Sequence, residues 1–282
     1  MTLYLFKTFR TSYFFPRMTK DLEYMYGLYP TYGGALSRIY WWLFRRCALV
    51  RMLSACDGEK AGFPYARIVG LEGKGSLMAF NLGTPGSEQK ISILGYDREK
   101  KEPFFAKYSE KPGAMALTKN EVATLQILNG TMLAPELLEV KEQEGGIWMR
   151  TSFVQGEHPA TKVLTEEVVE LAVSLSRHHL TEQSTDANGL SLSLSHGDFC
   201  PWNMLVDAGR LQLIDWEMAA DRPLGYDLFK YVCQCARLFT PDKDYHLAIE
   251  ENREMISRYF SAFGIADWRA YEDDFLSSNR WN

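Results

Sequence analysis

Three side chains carry the strongest chemical signal in the sequence: Asp198, Asn203 and Asp215. The first two lie in Ser195-His196-Gly197-Asp198-Phe199-Cys200-Pro201-Trp202-Asn203-Met204-Leu205-Val206, a loop between apolar runs, and the third follows the short strand candidate Leu211 to Ile214. Hard oxygen donors in this order suit a metal-nucleotide site. Phosphoryl transfer asks a protein mainly for positioning and charge neutralisation: a divalent cation on the phosphate oxygens, a lysine beside them, and a carboxylate to orient the acceptor hydroxyl. Mg²⁺ keeps several waters and takes few protein ligands, so the Asp215 carboxylate and the Asn203 amide oxygen make a sufficient pair. Asp198 would then take the acceptor's proton, with His196 bracing the loop. The competing reading of the same residues is an Asx-rich turn in a β-hairpin. His178 and His179 close a helix, where cations are favoured, and no ligand pattern surrounds them.

The elements that must position these groups lie upstream. Leu77 to Leu82, Lys90 to Tyr96 and Pro103 to Tyr108 read as an antiparallel meander, with further strands at Ala134 to Val140 and Ile147 to Val154 and a turn at Glu142 to Gly146. That makes a sheet of about five strands. Gly83-Thr84-Pro85-Gly86 could bring backbone N–H groups to phosphate oxygens, and is equally an ordinary hairpin connector. Lys107 is a charge inside the apolar run Phe104 to Tyr108, and a carboxylate such as Glu121, on an apparent helix Asn120 to Leu128, could hold it against phosphates. Their alternatives are a wet strand face for Lys107 and a capping box, Thr118-Lys119-Asn120-Glu121, for Glu121.

Gln155 to Pro159 breaks the pattern and reads as a linker. Beyond it the periodicity turns helical at Glu166 to Leu175, Tyr226 to Phe239, Leu247 to Phe263 and Trp268 to Leu276. The expected division is therefore 1–65, an aromatic and basic N-terminal extension; 66–155, a nucleotide-binding lobe; and 156–282, a catalytic and acceptor-binding helical lobe. Hydrophobic residues make up 46% and charged residues 24%, as in folded domains. A net charge of -5 offers no general field for nucleic acid, so no nucleic-acid partner is expected. The five cysteines are scattered without a Cys-x-x-Cys pair, and neither a secretory signal nor a membrane span is evident. A cytoplasmic location is expected.

Arg38 to Leu53 reads as one helix, apolar around most of its circumference and interrupted by four arginines. It suits either a peripheral contact with anionic lipid or packing on the next domain with the arginine stems reaching out.

Together His196-Gly197-Asp198 with Asn203, the segment Ile214-Asp215-Trp216-Glu217 and Pro223-Leu224-Gly225-Tyr226-Asp227-Leu228 resemble the aminoglycoside phosphotransferase and choline kinase-like family, relatives of protein kinases. The resemblance spans roughly residues 75 to 265. It implies an α+β, two-lobed protein kinase-like fold, with a small antiparallel-sheet lobe, a larger helical lobe and ATP in the cleft, here with an N-terminal helical extension. It further implies Asp198 as catalytic base, Asn203 and Asp215 on Mg²⁺, Lys107 on phosphates with Glu121 as its partner, Gly83 and Gly86 in the phosphate loop, Ser152 and Val154 on adenine, and Asp227 in a structural role. The glycine loop departs from Gly-x-Gly-x-x-Gly. Only Trp216 to Arg222 separate Asp215 from Pro223, too short a path for the activation loop and peptide platform of a protein kinase. A small-molecule or glycan hydroxyl acceptor, a sugar or polysaccharide intermediate among them, is expected instead. The long aromatic N-terminus is similar to family members associated with bacterial surface polysaccharide. The expectation is thus an ATP- and Mg²⁺-dependent small-molecule kinase; the alternative is a nucleotide-binding pseudokinase serving as a non-catalytic partner.

Overall fold

A computed structural model of the chain describes residues 1–29, 34–73, 75–143, 145–160 and 162–278. The chain divides into two compact units, Met1–Thr118 with Leu137–Phe153 and Lys119–Glu136 with Val154–Asn282. The first is built on one sheet. Its strands are β1 (Thr2–Lys7), β2 (Ser12–Phe15), β3 (Ala55–Asp57), β4 (Leu77–Asn81), β5 (Ile91–Asp97), β6 (Glu102–Ser109), β7 (Leu137–Gln143) and β8 (Gly146–Ser152). They lie in the order β3-β1-β2-β4-β5-β6-β8-β7, each neighbour antiparallel. The five strands expected from the sequence are β4 to β8; Glu144, within the expected turn, lies outside the described residues.

Residues 1–65 carry helices, as expected, and also β1 to β3, which extend the sheet. Strand residues alternate between faces, and both faces here are apolar. On one, Phe80, Ile93, Phe104 and Trp148 pack with Ile68 of α3 (Tyr65–Glu72). On the other, Phe15, Ala79 and Leu94 pack with Met25 of the 3₁₀ turn Lys20–Leu28 and with Trp41 and Phe44 of the next helix. Each such side chain, fully buried, contributes roughly 1.5–3 kcal/mol, which is why so aromatic an N-terminus folds onto the sheet. A buried charge cluster stands on the first face: the Arg150 guanidinium, 4.1 Å over the Phe104 ring, donates to Asp97 at 2.9 Å and Glu72 at 3.3 Å.

The single helix expected over Arg38 to Leu53 is two, α1 (Ala35–Arg46) and α2 (Ala48–Leu53), broken by an extended Cys47. Arg51 donates to the carbonyls of Phe44 and Arg45, satisfying acceptors at the end of α1 that a continuous helix would have used itself. The next helix, α4 (Pro112–Ile127), begins in the first unit and ends in the second.

The second unit is helix-rich, with α5 (Glu166–Leu175), α6 (Tyr226–Phe239), α7 (Tyr245–Glu251), α8 (Arg253–Ser261) and α9 (Arg269–Ser277). Asn252 splits the helix expected at Leu247 to Phe263 into α7 and α8. Phe229, Phe260, Trp268 and Phe275 form an aromatic core among these helices. Four short strands pair in two ribbons, β9 (Leu192–Ser195) with β12 (Ala220–Pro223) and β10 (Met204–Asp207) with β11 (Arg210–Leu213). The chain is thus α+β. Among the described residues no helix is long and apolar enough to cross a membrane.

Candidate active site

The two ribbons of the second unit leave two connections, 196–203 and 214–219, and hydrogen bonds tie them together. Ile214 N–H donates to the Asn203 carbonyl at 2.9 Å. The His196 ring, fully buried against Trp216, bonds the Ile214 carbonyl through Nε2 at 3.0 Å and accepts the Asp198 N–H at Nδ1 at 3.3 Å. That pairing places the proton on Nε2. His196 braces the loop.

The same loop is anchored from below by Asp227, in the first turn of α6. Its buried carboxylate accepts from Ser195 Oγ at 2.7 Å, His196 N at 2.7 Å and Gly197 N at 3.1 Å. Charge-assisted bonds of this kind are about twice as strong as neutral ones. Gly197 has φ +82°, and a Cβ there would stand 2.2 Å from the Met218 carbonyl oxygen; only glycine fits. The result is a rigid turn that presents Asp198. Asn203 fixes that side chain, donating Nδ2 to Asp198 Oδ2 at 2.8 Å and to the Asp198 carbonyl at 2.9 Å. Its own Oδ1 is the atom with which Asn203 could reach a cation.

Asp215 sits in the left-handed region at φ +70°, ψ 62°. Aspartate tolerates that region better than most residues, at a cost that functional sites often carry. Its carboxylate belongs to a cluster: oxygens of Glu121, Asp215 and Glu217 all lie within 4.8 Å of one another. At an effective dielectric of about 20, each like-charged pair at that separation repels by about 3 kcal/mol. A hard dication offsets that repulsion, and an all-oxygen donor set fits Mg²⁺. Asn120 builds the cluster by donating Nδ2 to the carbonyls of Glu217 at 3.0 Å and Ala219 at 2.8 Å, which clamps α4 on this turn.

The capping-box reading of Glu121 is overturned. α4 starts at Pro112, so Thr118 and Glu121 are helix-interior, and Thr118 Oγ1 bonds the Ala114 carbonyl at 3.0 Å instead. Lys107 lies on β6, only 3% exposed, opposite Ser92 and Met149 on the neighbouring strands; the wet-face reading is overturned as well. Gly83 and Gly86 lie in the β4–β5 connection. Gly83, at φ +68°, would put a Cβ 2.4 Å from the Lys90 carbonyl oxygen, and Lys111 Nζ bonds the Gly86 carbonyl at 2.6 Å. Ser152 ends β8, and Val154 is the first residue of the second unit's last segment.

Three groups escaped the sequence reading. Glu217 stands in a quoted motif but received no role. Arg222 bonds the Met218 carbonyl at 2.9 Å and lies 4.8 Å over the Tyr226 ring, beside the Gly197 turn. Lys230 is buried in α6; burial pushes its pKa below the ordinary lysine range while the Asp198 charge pulls it back up. A lysine in the otherwise apolar run Leu228 to Cys233 was the available signal.

Residues 179–273 match the model of the phosphotransferase enzyme family. The chain matches no curated protein sequence. Among solved structures it is similar to an aminoglycoside-3'-phosphotransferase of type VIII, at 17% identity and a TM-score of 0.42, over 67% of this chain and 84% of that one. Asp198, Asn203, Asp215, Glu217 and Asp227 all fall inside the matched segment, and across residues 179–273 the chain is similar to the phosphotransferase enzyme family.

Proposed function

We propose that the protein transfers the γ-phosphoryl group of ATP to a hydroxyl of a small molecule or glycan. The observation that carries this reading is the Asp198–Asn203 pair, hydrogen-bonded to the connection that bears the Asp215 and Glu217 carboxylates, with the Glu121 carboxylate of α4 within 4.8 Å of both. Asn203 occupies Asp198 Oδ2, which leaves Oδ1 to accept the acceptor's proton as its oxygen attacks phosphorus. Asp215, Glu217 and the Asn203 amide oxygen would hold Mg²⁺, with Glu121 alongside; bound there, the ion supplies neutralisation of phosphate charge. In the sheet unit, Lys107 contacts phosphate, the Gly83 to Gly86 connection offers backbone N–H groups, and Ser152 offers backbone groups to adenine, as does Val154 at the start of the second unit's last segment.

The acceptor class is supported by the path after Asp215. Trp216–Met218 forms a short 3₁₀ turn and the chain then enters β12, paired along its length with β9. That leaves no free loop on which a peptide could lie. Five free cysteines and an ATP donor suit a cytosolic setting.

The test is incubation with MgATP and a pool of sugars, amino alcohols and glycan intermediates, with mass-spectrometric detection of a new phosphomonoester. Asp198→Ala should lower transfer by about 10² or more while ATP binding persists. Undiminished transfer by that variant would sink the assignment, and ATP binding without transfer to any acceptor would favour the non-catalytic alternative.

A further inference from the structure

α1 has two apolar stripes where a packed surface helix needs one. Trp41 and Phe44 face the core and are buried. Leu36, Ile39, Tyr40 and Leu43, at i, i+3, i+4 and i+7, form the second, and all four are exposed, Leu36 at 84%. Such spacing marks a face that expects cover. Trp42 is exposed beside them, with the Arg46 guanidinium 5.7 Å over its ring. α2 repeats the pattern: none of its six residues is buried, and Leu49, Met52 and Leu53 are among the most exposed apolar side chains of the described residues. A six-residue helix is not stable by itself and normally depends on tertiary packing. Here the described residues supply little.

Charge says what the cover is. From Gly34 to Ser54 the chain holds Arg38, Arg45, Arg46 and Arg51 and no acidic residue, in a protein of net charge -5. Arg51 is spent on the end of α1 and Arg45 lies 4.0 Å from Glu23, but Arg38 and Arg46 are exposed next to the apolar stripes. A second copy docking by a twofold axis would set this basic face against itself. An anionic bilayer surface complements it, taking Leu and Met side chains at the acyl boundary, Trp and Tyr at headgroup depth and guanidinium groups on phosphates. The geometry points to α1 and α2 as an interfacial membrane-binding element that selects anionic lipid headgroups. This inference is independent of the phosphotransfer reading.

The experiment is co-sedimentation of the full chain with vesicles of phosphatidylglycerol and phosphatidylcholine against phosphatidylcholine alone, at low and high salt. Binding to the anionic vesicles, lost at high salt and weak on phosphatidylcholine, is expected. Each arginine near a charged surface is worth about fivefold in partitioning, so Arg38→Gln with Arg46→Gln should weaken binding about 30-fold. Leu49→Ser, Met52→Ser and Leu53→Ser together should abolish it with the thermal melt unchanged, because these side chains are already exposed in the folded chain. No sedimentation with anionic vesicles at low salt, or equal binding to both vesicle types, overturns the inference. So does a dimer in light scattering that the triple serine variant disperses, which would make the face a contact between copies.

Discussion

Asp227→Asn isolates the contribution of one buried carboxylate to the shape of the candidate active site. Asp227 accepts three hydrogen bonds from consecutive residues, at 2.7 Å from Ser195 Oγ, 2.7 Å from His196 N and 3.1 Å from Gly197 N. An asparagine has the same outline but only one acceptor oxygen. With Oδ1 toward Ser195 and Gly197, its NH₂ meets the His196 N–H donor to donor; flipped, it meets Gly197 N–H while the Ser195 hydroxyl can rotate. In the first orientation the buried His196 N–H loses its acceptor; in the second, the less costly, Gly197 N–H keeps only its 3.2 Å bond to Ser195 Oγ. The loss is that of a charge-assisted bond without a fully orphaned donor, so about 1.5–3 kcal/mol of stability should go. Urea unfolding followed by tryptophan fluorescence reads this directly: at a slope of about 3 kcal/mol per M the midpoint should fall by about 0.5–1 M. Phosphoryl transfer should fall with it under folded conditions, since the same bonds fix the turn that presents Asp198. A midpoint shift below about 0.3 M, under about 1 kcal/mol at that slope, would show that the loop holds its shape without the carboxylate, and the account of the site as a pre-formed turn would be wrong.

Glu217→Gln removes one charge from the three-carboxylate cluster and keeps its size, so transfer should need at least tenfold more Mg²⁺, read by magnesium titration; an unchanged requirement would remove Glu217 from the metal site. In the sheet unit, the Lys100 backbone N–H above all, aided by Glu99 N–H and Arg150, holds the Asp97 carboxyl below its ordinary range. A depressed carboxyl stabilises the fold above its unfolded pKa and loses that contribution as pH falls through the folded value, so Asp97→Asn should be less stable than the parent near neutrality, with the gap closing below about pH 4 in acid-unfolding curves. A constant gap across that range would contradict the assignment.

What could be read from the sequence and what could not separates by the range of the interactions involved. Asp198, Asn203 and Asp215 stand out because a loop carboxylate, an amide five residues on and a carboxylate after a short apolar run are written in neighbouring residue types, and α5 and α6 appear at the bounds expected because their apolar period is local. The strands β1 to β3 do not, since Thr2–Lys7 and Ser12–Phe15 are stabilised by partners as distant as Ala55–Asp57 and Leu77–Asn81. Glu121 shows the consequence for function. Read locally, Thr118 to Glu121 is a plausible helix start; once α4 is seen to begin at Pro112, the same glutamate lies on the helix turn where Asn120 grips the carbonyls of Glu217 and Ala219. The contact that brings Glu121 to Asp215 is therefore made by its neighbour's amide across nearly a hundred residues of chain, and no spacing rule could have supplied it. Glu217 was within reach: two residues beyond Asp215, it shares the 3₁₀ turn that the left-handed Asp215 initiates, and a turn so constrained brings an oxygen of each carboxylate within 4.8 Å of the other.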